Sequence, residues 1–323
     1  MARFNYYQRL LNAYILRRNS HLSFWHGEAE VNENAKPGQV GEYWMTFIQK
    51  AHYGGPFDNE GIPLLDYHGT IGRQYNPIAI AQYALGHFNL YRRNHDEHHR
   101  TVFLKVSDWL RDHLEKNADG FAVWHHHFDW EYFKLLKAPW YSGLAQGQGI
   151  SVLLRAYLLT SKESYLDAAR RAFEVFLHDL SKGGVRYIDP DGHWWVEEYI
   201  TDPPTHILNG FIWALWGIYE YALVSNDAYA GELFSKGVAT LEARLYDYDT
   251  GYWSLYDLAP NRMRTLASPF YHRLHIAQLK VMHAITKSDL FIKTAGRWED
   301  YYHNRICRYR ALAYKGIFKL IYY

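Results

Sequence analysis

The chain has 323 residues, 48% of them hydrophobic, with 35 Lys and Arg set against 34 Asp and Glu for a formal charge of +1. That length and apolar content suffice for a full core in one large domain or two ordinary ones, which excludes a disordered chain. The balanced charge excludes a global field for nucleic acid, and the single Cys307 excludes an internal disulfide or a cysteine-based zinc site.

The first 60 residues stand apart from the rest. A helix is expected over residues 4–18, a strand-like segment over 21–25, and a helix or strand over 41–51. Arg3, Arg9, Arg17 and Arg18 interrupt the early apolar residues, so a signal peptide is not expected, and no window is long enough to span a membrane. These features predict a soluble, cytoplasmic protein. No Pro-, Gly- or Ser-rich linker sets residues 1–60 off as an independent domain, so they read as a cover on the remainder, 61–323.

Four apolar stretches, at residues 80–86, 144–150, 207–212 and 274–279, recur about every 65 residues with helical periodicity. A second helical segment follows each, as 163–179 follows 141–159 and 229–246 follows 205–224. The repeat unit is therefore a helix pair. Between pairs lie segments that open with glycine and alternate aromatics, at 120–124, 184–188 and 251–256, which read as strand hairpins or extended loops. The expected fold is mainly α: an α/α toroid, or incomplete α/α barrel, of repeated helix pairs with short β-hairpins at the cleft end. The basic, aromatic stretch 305–323, with Arg308, Arg310, Lys315 and Lys319, reads as a last helix packed on the ring in preference to a membrane- or glycan-touching segment.

The interhelix segments carry the chemistry. Glu197, Glu198 and Tyr199 follow Trp194-Trp195 and precede Pro203-Pro204. A carboxylate and a phenol can move a proton on and off carbon when burial and nearby cations tune them. Adjacent strand residues face opposite sides, so on a regular strand Glu197 shares a face with Tyr199. Downstream, Tyr256-Asp257 closes one segment and Tyr271, His272 and His275 open the next helix, with Arg262 and Arg264 between as candidate counter-charges for an anionic ligand. His272 and His275 form an i,i+3 pair with no third metal ligand nearby. His125, His126 and His127 sit beside Asp129 and Glu131, but strand alternation lets at most two of the three histidines converge, so no metal is expected. Arg155 and Tyr157, inside an apolar helix, read as a buried structural pair. There is no P-loop, dinucleotide fingerprint or Ser or Cys nucleophile motif. With 12 Trp, 29 Tyr and 16 Phe, the chain is 18% aromatic, and flat aromatic faces with polar neighbours suit sugar rings.

Trp140-Tyr141-Ser142-Gly143-Leu144-Ala145-Gln146-Gly147-Gln148-Gly149-Ile150, then Glu197-Glu198-Tyr199 with Leu208-Asn209-Gly210-Phe211, Leu245-Tyr246-Asp247, Tyr256-Asp257-Leu258 and Tyr271-His272 through Gln278-Leu279, follow one another in order. Together they resemble the C-terminal domain of the D-glucuronyl C5-epimerases, enzymes that convert D-glucuronate to L-iduronate in heparan-type polysaccharides such as heparosan. The resemblance covers about residues 60 to 303. It implies an α/α toroid, a uronate-containing polysaccharide as partner, no cofactor, and a cleft in which Glu198, Tyr199, Tyr256 and Tyr271 are catalytic. Here it disagrees with the strand argument, which favours Glu197, unless the chain bends before Pro203. Residues Trp140, Gln146, Gln148 and Asn209 of the matched motifs, with Glu197, Arg262, Arg264 and His272, are the expected substrate contacts. The chain departs from the family pattern at Ala259, where the animal enzymes have arginine, in the loop to Tyr271, and in the large β-rich domain that precedes the toroid, which is not expected here. A polysaccharide lyase sharing the first proton abstraction, or a non-catalytic glycan-binding module, are the alternatives. Neither nucleic acid nor membrane is an expected partner, and a homodimer is compatible with the sequence.

Overall fold

Local chemistry sets where the helices begin. Asn76 accepts a hydrogen bond from Ala79 N at 3.1 Å and Pro77 takes the first helical position, Ser142 accepts from Ala145 N at 3.3 Å, and Ser268, followed by Pro269, accepts from Tyr271 N at 3.3 Å. The computed structural model describes residues 13, 14, 27, 29–67 and 69–322. The expected strand-like segment at 21–25 and nearly all of the expected helix at 4–18 lie outside these.

After a short helix α1 (Ile48–Ala51), the described helices are α2 (Pro77–Asn94), α3 (Glu97–Asp112), α4 (Gly143–Thr160), α5 (Glu163–Phe173), α6 (Leu208–Ser225), α7 (Ala228–Arg244), α8 (Pro269–Thr286), α9 (Asp289–His303) and α10 (Arg305–Tyr322). The fold is mainly helical, as expected. The helix-pair repeat has a backbone signature: the residue that ends the first helix of each pair is left-handed, at His95 (φ 54°), Ser161 (58°), Asn226 (54°) and Lys287 (63°). One tight turn thus recurs at about the 65-residue period seen in the sequence. No described helix is long and apolar enough to cross a membrane.

Short antiparallel ribbons precede or separate the pairs: β1 (Leu65–Asp66) with β2 (Arg73–Gln74) before the first pair, and β3 (Glu115–Lys116) with β4 (Ala122–Val123), β5 (Trp130–Glu131) with β6 (Leu135–Leu136), and β7 (Arg186–Ile188) with β8 (Trp194–Val196) between pairs. The third expected hairpin, at 251–256, is instead irregular, joined by single bridges of Asp249 to Ser254 and Leu255 to Leu266. The helix expected over 163–179 stops at Phe173 and tightens into a 3₁₀ turn, Glu174–Leu177, because the next strand takes up its carbonyls: Val185 N donates to Val175 O and Arg186 N to His178 O.

The chain forms two compact units. The larger comprises Asn32–His206 and Gly210–Leu241, and the smaller comprises the described residues of Met1–Val31, Ile207–Asn209 and Glu242–Tyr323. In the larger, α2 packs on α3 and on α4, and α4 on α5. Helices α4 and α6 meet backbone to backbone, since a Cβ built on Gly147 would sit 2.7 Å from Ala214 Cα, and one on Gly217 would sit 2.3 Å from Gly147 O. The same crossing buries Arg155, whose guanidinium pairs with both oxygens of Glu220 at 2.6 and 2.7 Å. The expected partnership with Tyr157 does not form, because residues two apart on a helix face different sides. In the smaller unit α8 packs on α9 and α9 on the expected C-terminal helix α10.

Candidate functional site

In the larger unit the site grows from the end of β8. The strand stops at Val196, where Gly143 N, opening α4, donates to Glu197 O at 3.1 Å, and the chain bends at Glu198 and Tyr199. The bend removes the alternation that would have put Glu197 beside Tyr199. Glu197 is fully buried, and its carboxylate accepts from Thr205 N (3.1 Å) and His206 N (3.0 Å) and pairs with His206 Nδ1 at 2.6 Å. It clamps the loop 197–206 shut and is a support, not the substrate contact expected of it. Glu198, 4% exposed, lies instead against Gly210 in the first turn of α6. The positive end of a helix dipole favours an anion at such a turn.

Tyr199 is half-buried, with its ring 4.8 Å from Tyr132 and edge-on to Trp140 at 5.5 Å. Trp140 is itself fixed, its indole N–H donating to Phe128 O at 2.8 Å and its face lying on His126 at 3.8 Å and 3°. Burial pushes His126 down to about 3, against the opposing effect of the Trp140 backbone, so this ring is an uncharged plate at neutral pH. Trp140 therefore serves as the wall behind Tyr199.

The glycine- and glutamine-rich start of α4 is scaffolding. The Gln146 amide, fully buried, accepts from Trp124 N (3.0 Å) and donates to Ala122 O (3.2 Å) and Ala172 O (2.9 Å). Gln148 is also fully buried and accepts from Gln82 at 3.2 Å. Neither exposes the amide edge that a sugar contact needs. Gly149 leaves room for the Trp124 ring, which would stand 2.3 Å from a Cβ there.

In the smaller unit Tyr256 and Tyr271 come together, with ring centroids 4.7 Å apart and planes at 60°. Tyr256 is held through its backbone, its N–H donating to Thr265 O (2.7 Å) and its O accepting from Leu208 N (3.1 Å), while Tyr271 stands in the capped first turn of α8. Asn209, 3% exposed, accepts on its backbone O from Gln278 at 2.9 Å. His272 is not available to a substrate carboxylate. It is fully buried, stacked on Trp253 at 4.0 Å, and its ring nitrogens face Trp298 O (2.9 Å) and Ser254 Oγ (2.7 Å). Burial pushes it down to about 3, outweighing the Trp298 carbonyl and the Asp249 charge, so it is neutral. Arg262 and Arg264 are exposed, with the Arg264 guanidinium bonded to Asp247 O. Arg264 lines a cavity of about 520 Å³ with Tyr246, Tyr252, Arg297, Tyr301 and Tyr314.

One cation in this unit escaped the sequence reading as a site residue. Helix α10 brings Lys315 within electrostatic reach of Asp257, the neighbour of Tyr256. Burial lowers its ammonium to about 8, with the Asp257 charge opposing. Lys315 was visible only as part of a basic tail, because its partner lies far away in the sequence.

Fold and site together define a class: a helix-pair protein in which one interhelix loop carries a buried carboxylate next to one tyrosine and, separately, a loop tyrosine, Tyr256, meets a helix-start tyrosine, Tyr271, with tilted rings. Residues 118–300, which include Glu198, Tyr199, Tyr256 and Tyr271, match the family described as D-glucuronyl C5-epimerase C-terminus, and the chain belongs to that family. It is 36% identical over 228 residues to the D-glucuronyl C5-epimerase of Caenorhabditis elegans, a match that covers 65% of this chain and 36% of that protein. The chain thus corresponds to about a third of that relative's length. An uncharacterized protein of Methanocaldococcus jannaschii is 28% identical over 267 residues, covering 76% of this chain and 85% of its own length. Among solved structures, the unsaturated glucuronyl hydrolase of Bacillus sp. GL1 aligns with a TM-score of 0.47 at 14% identity over 69% of this chain and 61% of that one. A D-mannose isomerase aligns with a TM-score of 0.44 at 12% identity over 79% and 83%.

Proposed function

We propose that this protein inverts C5 of D-glucuronate within a uronate-containing polysaccharide. The observation that carries the reading is the family match over residues 118–300, a span that contains Glu198, Tyr199, Tyr256 and Tyr271, with Glu198 buried against the first turn of α6. The C5 proton is acidic because it lies α to the uronate carboxylate, so a base on one face of the ring and an acid on the other are sufficient, and no cofactor is needed in principle. We assign Glu198 or Tyr199 to one face and Tyr256 or Tyr271 to the other. With His272 neutral and Ala259 at the position of the animal enzymes' arginine, the counter-charge for the carboxylate falls to Arg262, Arg264 or Lys315. A cavity of about 570 Å³ lined by Arg186, Tyr187, Ile200 and Thr201, beside the loop that carries Glu198 and Tyr199, offers room for a sugar unit.

The test is incubation with heparosan and other glucuronate polymers in deuterated water, with C5 exchange read by NMR. Deuterium at C5 together with L-iduronate signals supports the proposal. An unsaturated product absorbing in the ultraviolet would identify a lyase, and binding without exchange would identify a glycan-binding module. Full exchange in Tyr271→Phe would remove Tyr271 from the mechanism.

A further inference from the structure

Strand geometry brings together three groups that the proposed reaction does not use. Glu115 on β3 pairs in register with Val123 on β4, and the chain continues extended through Trp124 to His127. His126 turns inward to Trp140, held by backbone bonds of 2.7 and 3.1 Å. Its neighbours His125 and His127 therefore point the other way, on the side of Glu115. Strand alternation allows at most two of the three histidines to converge, and His125 and His127 are those two. The third group comes from across the hairpin, and is neither Asp129 nor Glu131.

The atoms are arranged as a ligand set. His125 Nδ1 lies 3.2 Å from Glu115 Oε2, and His127 Nε2 lies 3.1 Å from Glu115 Oε1. One ligand atom from each residue falls within 4.8 Å of the others. Ligands at 2.0–2.2 Å around a tetrahedral ion stand about 3.3 Å from one another, so small side-chain rotations would suffice to admit an ion. The His125 side chain, 5% exposed, forms a floor, while His127 (55%) and Glu115 (46%) form an open rim where water can complete the coordination. A second acidic cluster, Asp189 with Asp191 and His193, differs in that the Asp189 carboxylate is already engaged by Asp191 N, His193 and Trp195 Nε1.

We propose that Glu115, His125 and His127 form a binding site for a late first-row divalent cation such as Zn²⁺. Two imidazoles and one carboxylate suit such ions, whereas Ca²⁺ and Mg²⁺ want more oxygens than the site offers. A bound ion would tie β3 to the segment whose His126 carries Trp140, the wall behind Tyr199.

The whole protein, stripped by a chelator and dialysed, is titrated with ZnCl₂ by calorimetry, and with CoCl₂ while the visible absorption of the bound ion is followed. One equivalent is expected to bind and to raise the thermal midpoint. Glu115→Gln and His127→Gln, checked for folding by circular dichroism, should each weaken binding by about tenfold or more and abolish the Zn²⁺-induced shift in midpoint. Absent binding, binding unchanged in either variant, or binding lost only in His99→Gln, which disrupts the separate His87–His99 pair, would each overturn the site. None of these readouts depends on catalysis.

Discussion

Gly210→Ala is the sharpest probe of Glu198. Residue 210 lies in the first turn of α6, where alanine would ordinarily favour the helix by about 1 kcal/mol. Here its methyl would stand 2.2 Å from Glu198 Oε2, 2.6 Å from Glu198 Cβ and 2.9 Å from Cδ, against an ordinary contact of 3.4–4 Å. Glu198 must therefore retreat by about 1 Å, and overpacking of this kind costs about 1–3 kcal/mol. The two terms nearly offset, so unfolding stability should fall by no more than about 2 kcal/mol. Catalysis is less forgiving, since about 1 Å of misplacement at a reacting group costs on the order of 100-fold. The assay is the initial rate of C5 deuterium incorporation at saturating polymer, with urea unfolding in parallel. Gly231→Ala and Gly296→Ala are the controls: both are helical glycines with nothing within 4 Å of the added methyl. They should gain about 0.5–1 kcal/mol without changing the rate. A Gly210→Ala protein that exchanges as fast as an active wild type would refute a catalytic role that depends on Glu198's position.

Three other outcomes are expected. Burial holds His87, His126 and His272 at about 3 and His275 well below its ordinary value, so as pH falls the unfolded chain takes protons first, and stability is lost from about pH 6.5 downward toward 3. The loss is about 2 kcal/mol per histidine between pH 7 and 5, and equal urea-unfolding free energies at the two pH values would contradict it. Glu220→Gln leaves the Arg155 guanidinium buried without its counter-charge and should cost about 3–5 kcal/mol, whereas the double change Arg155→Met, Glu220→Leu should recover much of that. A loss under about 1 kcal/mol by chemical denaturation would show that water reaches the pair. If Lys315 supplies the counter-charge, exchange slows as pH rises through about 8, and Lys315→Met removes that alkaline fall while raising KM; an unchanged profile in the variant eliminates Lys315.

The helix pairs were legible because apolar periodicity and a repeated spacing are properties of the chain read in order, and the left-handed turns at Ser161 and Asn226 fall in the two joints whose bounds that reading gives. Side-chain roles were less legible wherever a partner is remote. Strand alternation favoured Glu197 as the partner of Tyr199, but it could not know that Gly143 would end the strand or that Thr205 and His206 would occupy the Glu197 carboxylate. Gln146 carries an amide that reads equally well as a sugar contact. Its use is decided by the bare carbonyls of Ala122 and Ala172, to which no sequence pattern points. His272 reads as a substrate contact beside Tyr271, and its withdrawal comes from burial under Trp253, well upstream in the chain. At residues 125–127 the limit set by alternation, two histidines at most on one side, is the arrangement found, with His125 and His127 by Glu115 and His126 against Trp140.

The fit of Trp124 against Gly149 makes two distant positions exchangeable only together. The indole occupies the space a side chain at 149 would need, and its own N–H is committed to Leu110 O at 2.8 Å. A library that varies position 149 alone should return almost nothing but glycine, while one that varies both should recover chains with a methyl at 149 and a slimmer apolar residue at 124. The pair is thus a size-exchange rule for redesigning this scaffold, one that any chain built on the same helix must obey.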